Sequence, residues 1–240
     1  MNKPPNIYEE GQVLLVNKEL RWTSFDAVRK LRNTMRIKKV GHAGTLDPLA
    51  TGLLIICSGK FTKRINEFMA QEKEYTGTIT LGATTPTYDL ESEPQDFKPI
   101  DALSVDGIKA ATQPFTGTIQ QLPPAHSAIK KDGKRLYELA RAGKEVVLEP
   151  RTVTISEFEL TRIEGAEVDF RVVCSTGTYI RSLANDFGAA LGVGGYLSAL
   201  CRTRIGGFRV EDAKTVGEWQ EEITRALQGE RKNTDEADRV

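Results

Sequence analysis

The chain has 240 residues and a mass of 26.6 kDa, enough to bury roughly 70% of its unfolded surface in one or two domains without a metal or disulfides to hold it together. Lysine plus arginine balances aspartate plus glutamate at 33 each, which excludes a uniformly basic nucleic-acid binder. Three widely spaced cysteines, an apolar run no longer than LLIIC and a polar, proline-bearing start exclude a disulfide scaffold, a helical membrane span and a signal segment, so a soluble cytoplasmic protein is expected.

In chain order the pattern is α/β throughout, without repeats. GQVLLVNK reads as a strand. TSFDAVRKLRNTMR opens on a Thr or Ser cap and spaces Phe25, Val28, Leu31 and Met35 as one face of a helix. The other face starts a basic block from Arg29 to Lys39 that contains no acid, so a neutral protein still carries a local positive field. A glycine-rich loop, 41–52, leads to the strand LLIICSG, a helix over about 60–70 and the strand KEYTGTITLGATT. The acidic 88–99 segment reads as an exposed loop, and a helix follows near 105–111. An excursion over 122–151 carries a second basic stretch. RTVTISEFELTRIEGAEVDFRVVCSTG is a hairpin turning at Glu164-Gly165, TYIRSLANDFGAALG a helix with a glycine stop, and GGYLSALCRTRIGGFRV a return to strand. The polar residues 229–240 have the composition of a disordered tail.

Few side chains concentrate chemistry. Only two histidines and no cysteine pair at ligand spacing argue against zinc, and no P-loop or dinucleotide fingerprint offers a phosphate cradle. What stands out is GHAGTLDPLATGLL, residues 41–54, where Asp47 lies among three glycines just after His42. An Asp-Pro step is commonly a helix cap with proline at the first helical position. Glycines that admit close backbone approach, in a loop between rigid elements, suit a presented reactive carboxylate as well.

That loop closely resembles the signature of the TruB family of tRNA pseudouridine synthases. KEY at Lys73, QLPPAHSAIKKDGKRLYELARAGKEV at Gln121, CSTGTYIRSLANDFG at Cys174 and GYLSALCRTRIGGF at Gly195 follow in the family's order, so the likeness runs over roughly 11–213. It implies an α/β (α+β) fold, with a mixed, largely antiparallel central sheet flanked by helices, and an RNA-gripping insertion at about 122–151. The implied domain spans 1–228. The implied activity isomerises uridine to pseudouridine at position 55 in the tRNA T-loop, without cofactor or metal, in a monomer whose partner is the tRNA T-arm.

By the same resemblance Asp47 is the catalytic carboxylate, attacking the sugar or taking a proton from it. Tyr75 stacks on the flipped-out base, His42 helps to hold the RNA loop open, Arg181 pairs with the aspartate, Tyr179 is a second active-site tyrosine, and Leu200 lines the uracil pocket. Lys130, Lys131, Lys134, Arg135 and Arg141 are candidates for RNA phosphates. Three departures stand against this: Glu19 and Arg21 replace the Pro and Gly of Lys-Pro-x-Gly, His126 replaces a common tyrosine, and too few residues follow Phe208 for a full C-terminal PUA domain. A tRNA-folding helper without catalysis and a hydrolytic nucleosidase are the competing readings.

Overall fold

The computed structural model describes residues 6–124, 130–131, 134–135 and 148–237. Where one domain over 1–228 was expected, contacts divide the chain into two compact units, Met1–Gln71 with Cys201–Val240, and Glu72–Leu200.

In the first unit α1 (Ile7–Glu10) precedes β1 (Val13–Lys18), which alternates half-buried and buried residues and pairs antiparallel with β3 (Ala50–Ser58). Leu53 to Cys57 are fully buried, which is why this strand reads as an unbroken apolar run instead of alternating. Between them α2 (Ser24–Met35) starts on a capping box, Thr23 and Asp26 each accepting from the other's backbone N–H. Its inward residues are Ser24, Ala27, Val28, Leu31 and Met35, while Phe25 is 61% exposed. Val28, Leu31 and Met35 face inward as expected, and only Phe25 departs, its place at the start of the face taken by Ser24, whose hydroxyl bonds inward to Leu46. β2 (Val40–His42) pairs with the end of β3. The helix expected over 60–70 is a 3-10 turn, Gly59–Arg64, followed by α3 (Ile65–Met69).

The last residues of β10 (Gly195–Ile205) belong to this unit and lie beside β3, and β11 (Phe208–Arg209) folds back on them. The final helix, α6 (Val216–Ala237), packs on α2, and the Trp219 indole N–H donates to the Leu15 carbonyl at 2.7 Å. Its backbone stays helical to Ala237, across most of the polar tail read as disordered. Glu, Arg, Lys and Ala are good helix formers, and a helix already nucleated and packed extends at little cost.

In the second unit β4 (Lys73–Leu81) pairs antiparallel with β9 (Glu167–Cys174), which pairs with β8 (Arg151–Glu164), and β8 with β5 (Gly117–Gln121). The expected hairpin forms, with its turn at Gly165 and Ala166, one residue beyond the Glu164-Gly165 step read from the sequence. The first residues of β10 lie on the other side of β4. α5 (Ile180–Ala190) covers the sheet, with Phe187 set edge-on to Phe158 at 5.5 Å, and α4 (Val105–Ala110) stands on Ser104 as cap. The sheets are mostly antiparallel and carry helices, the class expected. Within the insertion, β6 (Lys130–Lys131) and β7 (Lys134–Arg135) form a two-residue antiparallel ladder.

Candidate active site

Asp47 sits half-buried in the loop joining β2 to β3. It starts no helix: its carbonyl accepts from Ala50 N–H at 3.1 Å, and the chain turns across Pro48 and Leu49 straight into β3. The cap role that Asp-Pro often plays is not the conformation adopted here. Three groups hold the loop. The buried Ser24 hydroxyl donates to the Leu46 carbonyl at 3.1 Å, and accepts from Leu46 N–H at 2.8 Å. Pro48's carbonyl accepts from Arg21 N–H at 2.7 Å. Arg21 has φ of 68°, so the position where the resemblance calls for glycine keeps a left-handed backbone with an arginine in it.

The third group is Arg202, 1% exposed on β10. Its Nε donates to Leu53 O at 2.8 Å, Nη2 to Gly44 O at 3.1 Å and Nη1 to Thr45 O at 3.5 Å. Lys18, at the end of β1, is fully buried and donates to the carbonyls of Glu19 at 3.0 Å and Trp22 at 2.7 Å. Burial lowers its pKa to about 8, with the Asp47 charge pulling it up and the Arg202 charge pushing it down. His42, at the end of β2, is held below the usual imidazole value chiefly by burial; a hydrogen bond with the Gly44 backbone opposes this and Arg202 adds to it. The loop that carries Asp47 thus starts directly after His42, with two buried cations, Arg202 and Lys18, beside it that the sequence reading did not assign.

In the second unit Arg181 opens α5 and is 5% exposed. Its Nη1 donates to Thr87 O at 3.1 Å, and its Nε lies 3.6 Å from the carboxylate of Asp89, itself 4% exposed. The acidic loop expected to be exposed therefore sends Asp89 inward. Tyr179 is the residue before α5, and its backbone is clamped by buried Gln121: the amide oxygen accepts from Tyr179 N–H at 2.8 Å, and the amide nitrogen donates to Tyr179 O at 3.1 Å. Tyr75 is buried on β4, and Leu200 is half-buried on β10 beside it. Tyr179 and Arg181 share one turn, and Tyr75 and Leu200 share adjacent strands.

Charge gathers elsewhere in the first unit. A cleft of about 630 Å³ is lined by Arg36, Lys38, Lys39, Lys60 and Lys63, with Glu9 as its acid. The end of the basic block read from the sequence supplies three of these cations. Of the insertion's candidates, Lys130, Lys131, Lys134 and Arg135 lie on the described ladder backbone, whereas Arg141 and His126 lie outside the described residues.

The profile of the TruB family pseudouridylate synthase N-terminal domain matches residues 32–180. The chain is 54% identical over 226 residues to tRNA pseudouridine synthase B of Flavobacterium johnsoniae, covering 91% of this chain and 99% of that one. It is 49% identical over 231 residues to tRNA pseudouridine synthase B of Phocaeicola vulgatus, covering 92% and 98%. The chain belongs to the TruB family of pseudouridine synthases. Among solved structures it is similar to a chain in a Cbf5–Nop10–Gar1 complex, with a TM-score of 0.70 and 30% identity over 89% of this chain and 54% of that one. It is also similar to a chain in an H/ACA ribonucleoprotein bound to a substrate RNA containing 2′-deoxyuridine, with a TM-score of 0.67 and 27% identity over 90% and 54%. It spans about half the length of those solved chains.

The TruB signature points to the loop but not to what lies beside it. Alternation along β1 puts Leu14, Val16 and Lys18 on the same inward side, so Lys18 was legible as a buried lysine. Arg202 was not. Counting by twos from buried Leu197 turns Arg202 outward, and β10 changes parity before reaching it.

Proposed function

We propose that this chain converts uridine to pseudouridine at position 55 in the tRNA T-loop, with Asp47 as the catalytic carboxylate. The observation that carries the reading is a single carboxylate on a loop fixed at Leu46 and Pro48 and set beside buried cations, in a chain of this family. Attack on C1′, or removal of a proton from the ribose, releases uracil from its C1′–N1 bond. The ring turns and C5 joins C1′, displacing the Asp47 carboxylate from C1′ or, on the other route, with the ribose taking back its proton; the C5 hydrogen then leaves as a proton and N1 takes one up. Atoms and electrons balance without a cofactor. Hydrolytic glycosidases commonly pair two carboxylates to activate water, and one suffices here because no water is added.

The uridine must leave its stack, at a cost of a few kcal/mol. Tyr75 returns part of this by stacking on the base, worth about 1–3 kcal/mol. In this reading Tyr179, Arg181 and Leu200 are further substrate-binding residues, and His42, neutral near pH 7, holds the RNA loop open. The lysine-lined cleft and the basic insertion supply phosphate contacts, which makes affinity fall steeply with salt. The setting is the cytoplasm, with the protein acting as a monomer; among the described residues no helix is long and apolar enough to cross a membrane.

The test is tritium release to water from tRNA carrying 5-tritiated uridine, compared with a transcript in which position 55 is cytidine. Release from the first alone supports the assignment. Equal release from both removes the T-loop position, and free uracil with an abasic RNA makes the chain a nucleosidase.

A further inference from the structure

The loop around Asp47 is closed by a residue more than 150 positions further on. Arg202's guanidinium reaches a carbonyl on each side of Asp47: Gly44, with Thr45 at the edge of bonding distance, before it, and Leu53 after it. Its backbone fits the same loop. A Cβ on Gly52, where φ is 99°, would stand 2.4 Å from Arg202 O, and one on Gly44, where φ is 96°, would stand 3.6 Å from Nη1. Two of the loop's glycines thus face one arginine, one against its backbone and one against its side chain. A planar fork with five donors can span three carbonyls that a single ammonium cannot.

We infer that Arg202 is a positioning residue for the reaction, fixing the backbone on both sides of Asp47 so that the carboxylate meets the ribose at the required distance. This rests on the assignment of Asp47 made above. Displacing a reacting group by about 1 Å can cost on the order of 100-fold in rate, so the arginine acts on turnover without touching RNA.

The experiment measures, in the full-length chain, single-turnover tritium release from a T-arm hairpin with 5-tritiated uridine, and in parallel the binding of that hairpin. Arg202→Met is expected to lower the rate constant about 100-fold and Arg202→Lys about 10-fold, with hairpin Kd within about threefold of the parent in both. Gly44→Ala strains the same stretch of backbone, because its φ of 96° disfavours a side chain, and is expected to show the same rate-selective loss. An unchanged rate in both arginine variants, a rate and an affinity that fall in proportion, or failure of both variants to fold overturns the inference. Asp47→Asn, run alongside, separates this from the underlying reading: if it stays active the assignment of Asp47 fails, whereas an inactive Asp47→Asn beside a fully active Arg202→Met sinks the role of Arg202 alone.

Discussion

Arg202 in the first unit and Arg181 in the second are both buried, yet they are accommodated differently. Arg202 is wrapped by the carbonyls of Leu53, Gly44 and Thr45, and Lys18 nearby is likewise held by the carbonyls of Glu19 and Trp22. Arg181 faces the Asp89 carboxylate as well as the Thr87 carbonyl. A cation held by carbonyls fixes a backbone path and leaves its own charge in play for whatever carboxylate stands near it. A cation facing a buried carboxylate fixes that carboxylate and the loop that carries it. The first arrangement suits a loop that must present an acid; the second suits a helix start anchored to a neighbouring loop.

The sharpest way to break this contrast is thermodynamic. Arg181→Met leaves the Asp89 charge buried, so a loss of about 3–5 kcal/mol is expected in urea unfolding, and Arg181→Met with Asp89→Leu recovers most of it. Arg202→Met leaves carbonyls but no such carboxylate, and its loss should be smaller than that of Arg181→Met. The reverse order would show the comparison to be wrong.

Next in size is a pH effect at Lys18. Its folded pKa of about 8 lies below the ordinary lysine value of about 10.4, so between the two the unfolded chain binds the extra proton and stability rises with pH; below pH 8 this gain is absent. The parent is expected to gain on the order of 2–3 kcal/mol across that window relative to Lys18→Met. The difference between the two chains is what to read, because Cys57, held up to about 11 by burial, tilts the upper part of the same range the other way.

Gln121→Ala tests the second region without touching charge. It removes the Gln121 oxygen from the Tyr179 N–H, while the Tyr179 carbonyl keeps the Leu183 N–H at 3.1 Å, for an expected loss of about 1–3 kcal/mol by thermal or urea unfolding. The smallest effect is a gain: Arg21→Gly removes a side chain from a backbone at φ of 68°, and should raise stability by about 1 kcal/mol, with the Pro48 contact kept. A loss there would mean that the arginine side chain, and not the turn, holds that end of the loop.

Periodicity carried the sequence far where one rule governs. The hairpin turning at Gly165, the α5 helix and the apolar β3 strand all follow from spacing and turn chemistry. It failed where a tertiary hydrogen bond outranks hydropathy. Ser24 displaces Phe25 from the inward face of α2 because its hydroxyl closes on Leu46, and Asp89 turns inward from an acidic loop because Arg181 waits for it. The candidate site was legible as a motif centred on Asp47. Its supports were legible only in part, since Lys18 keeps strand alternation and Arg202 breaks it.

Asp47 is proposed to act on the ribose of an extruded uridine. Single-turnover tritium release by Asp47→Asn, at a protein concentration that saturates the T-arm hairpin, tests this role most directly. No release above background is expected, while the hairpin still binds as tightly as to the parent chain. Release at the parent rate from that bound complex would contradict it.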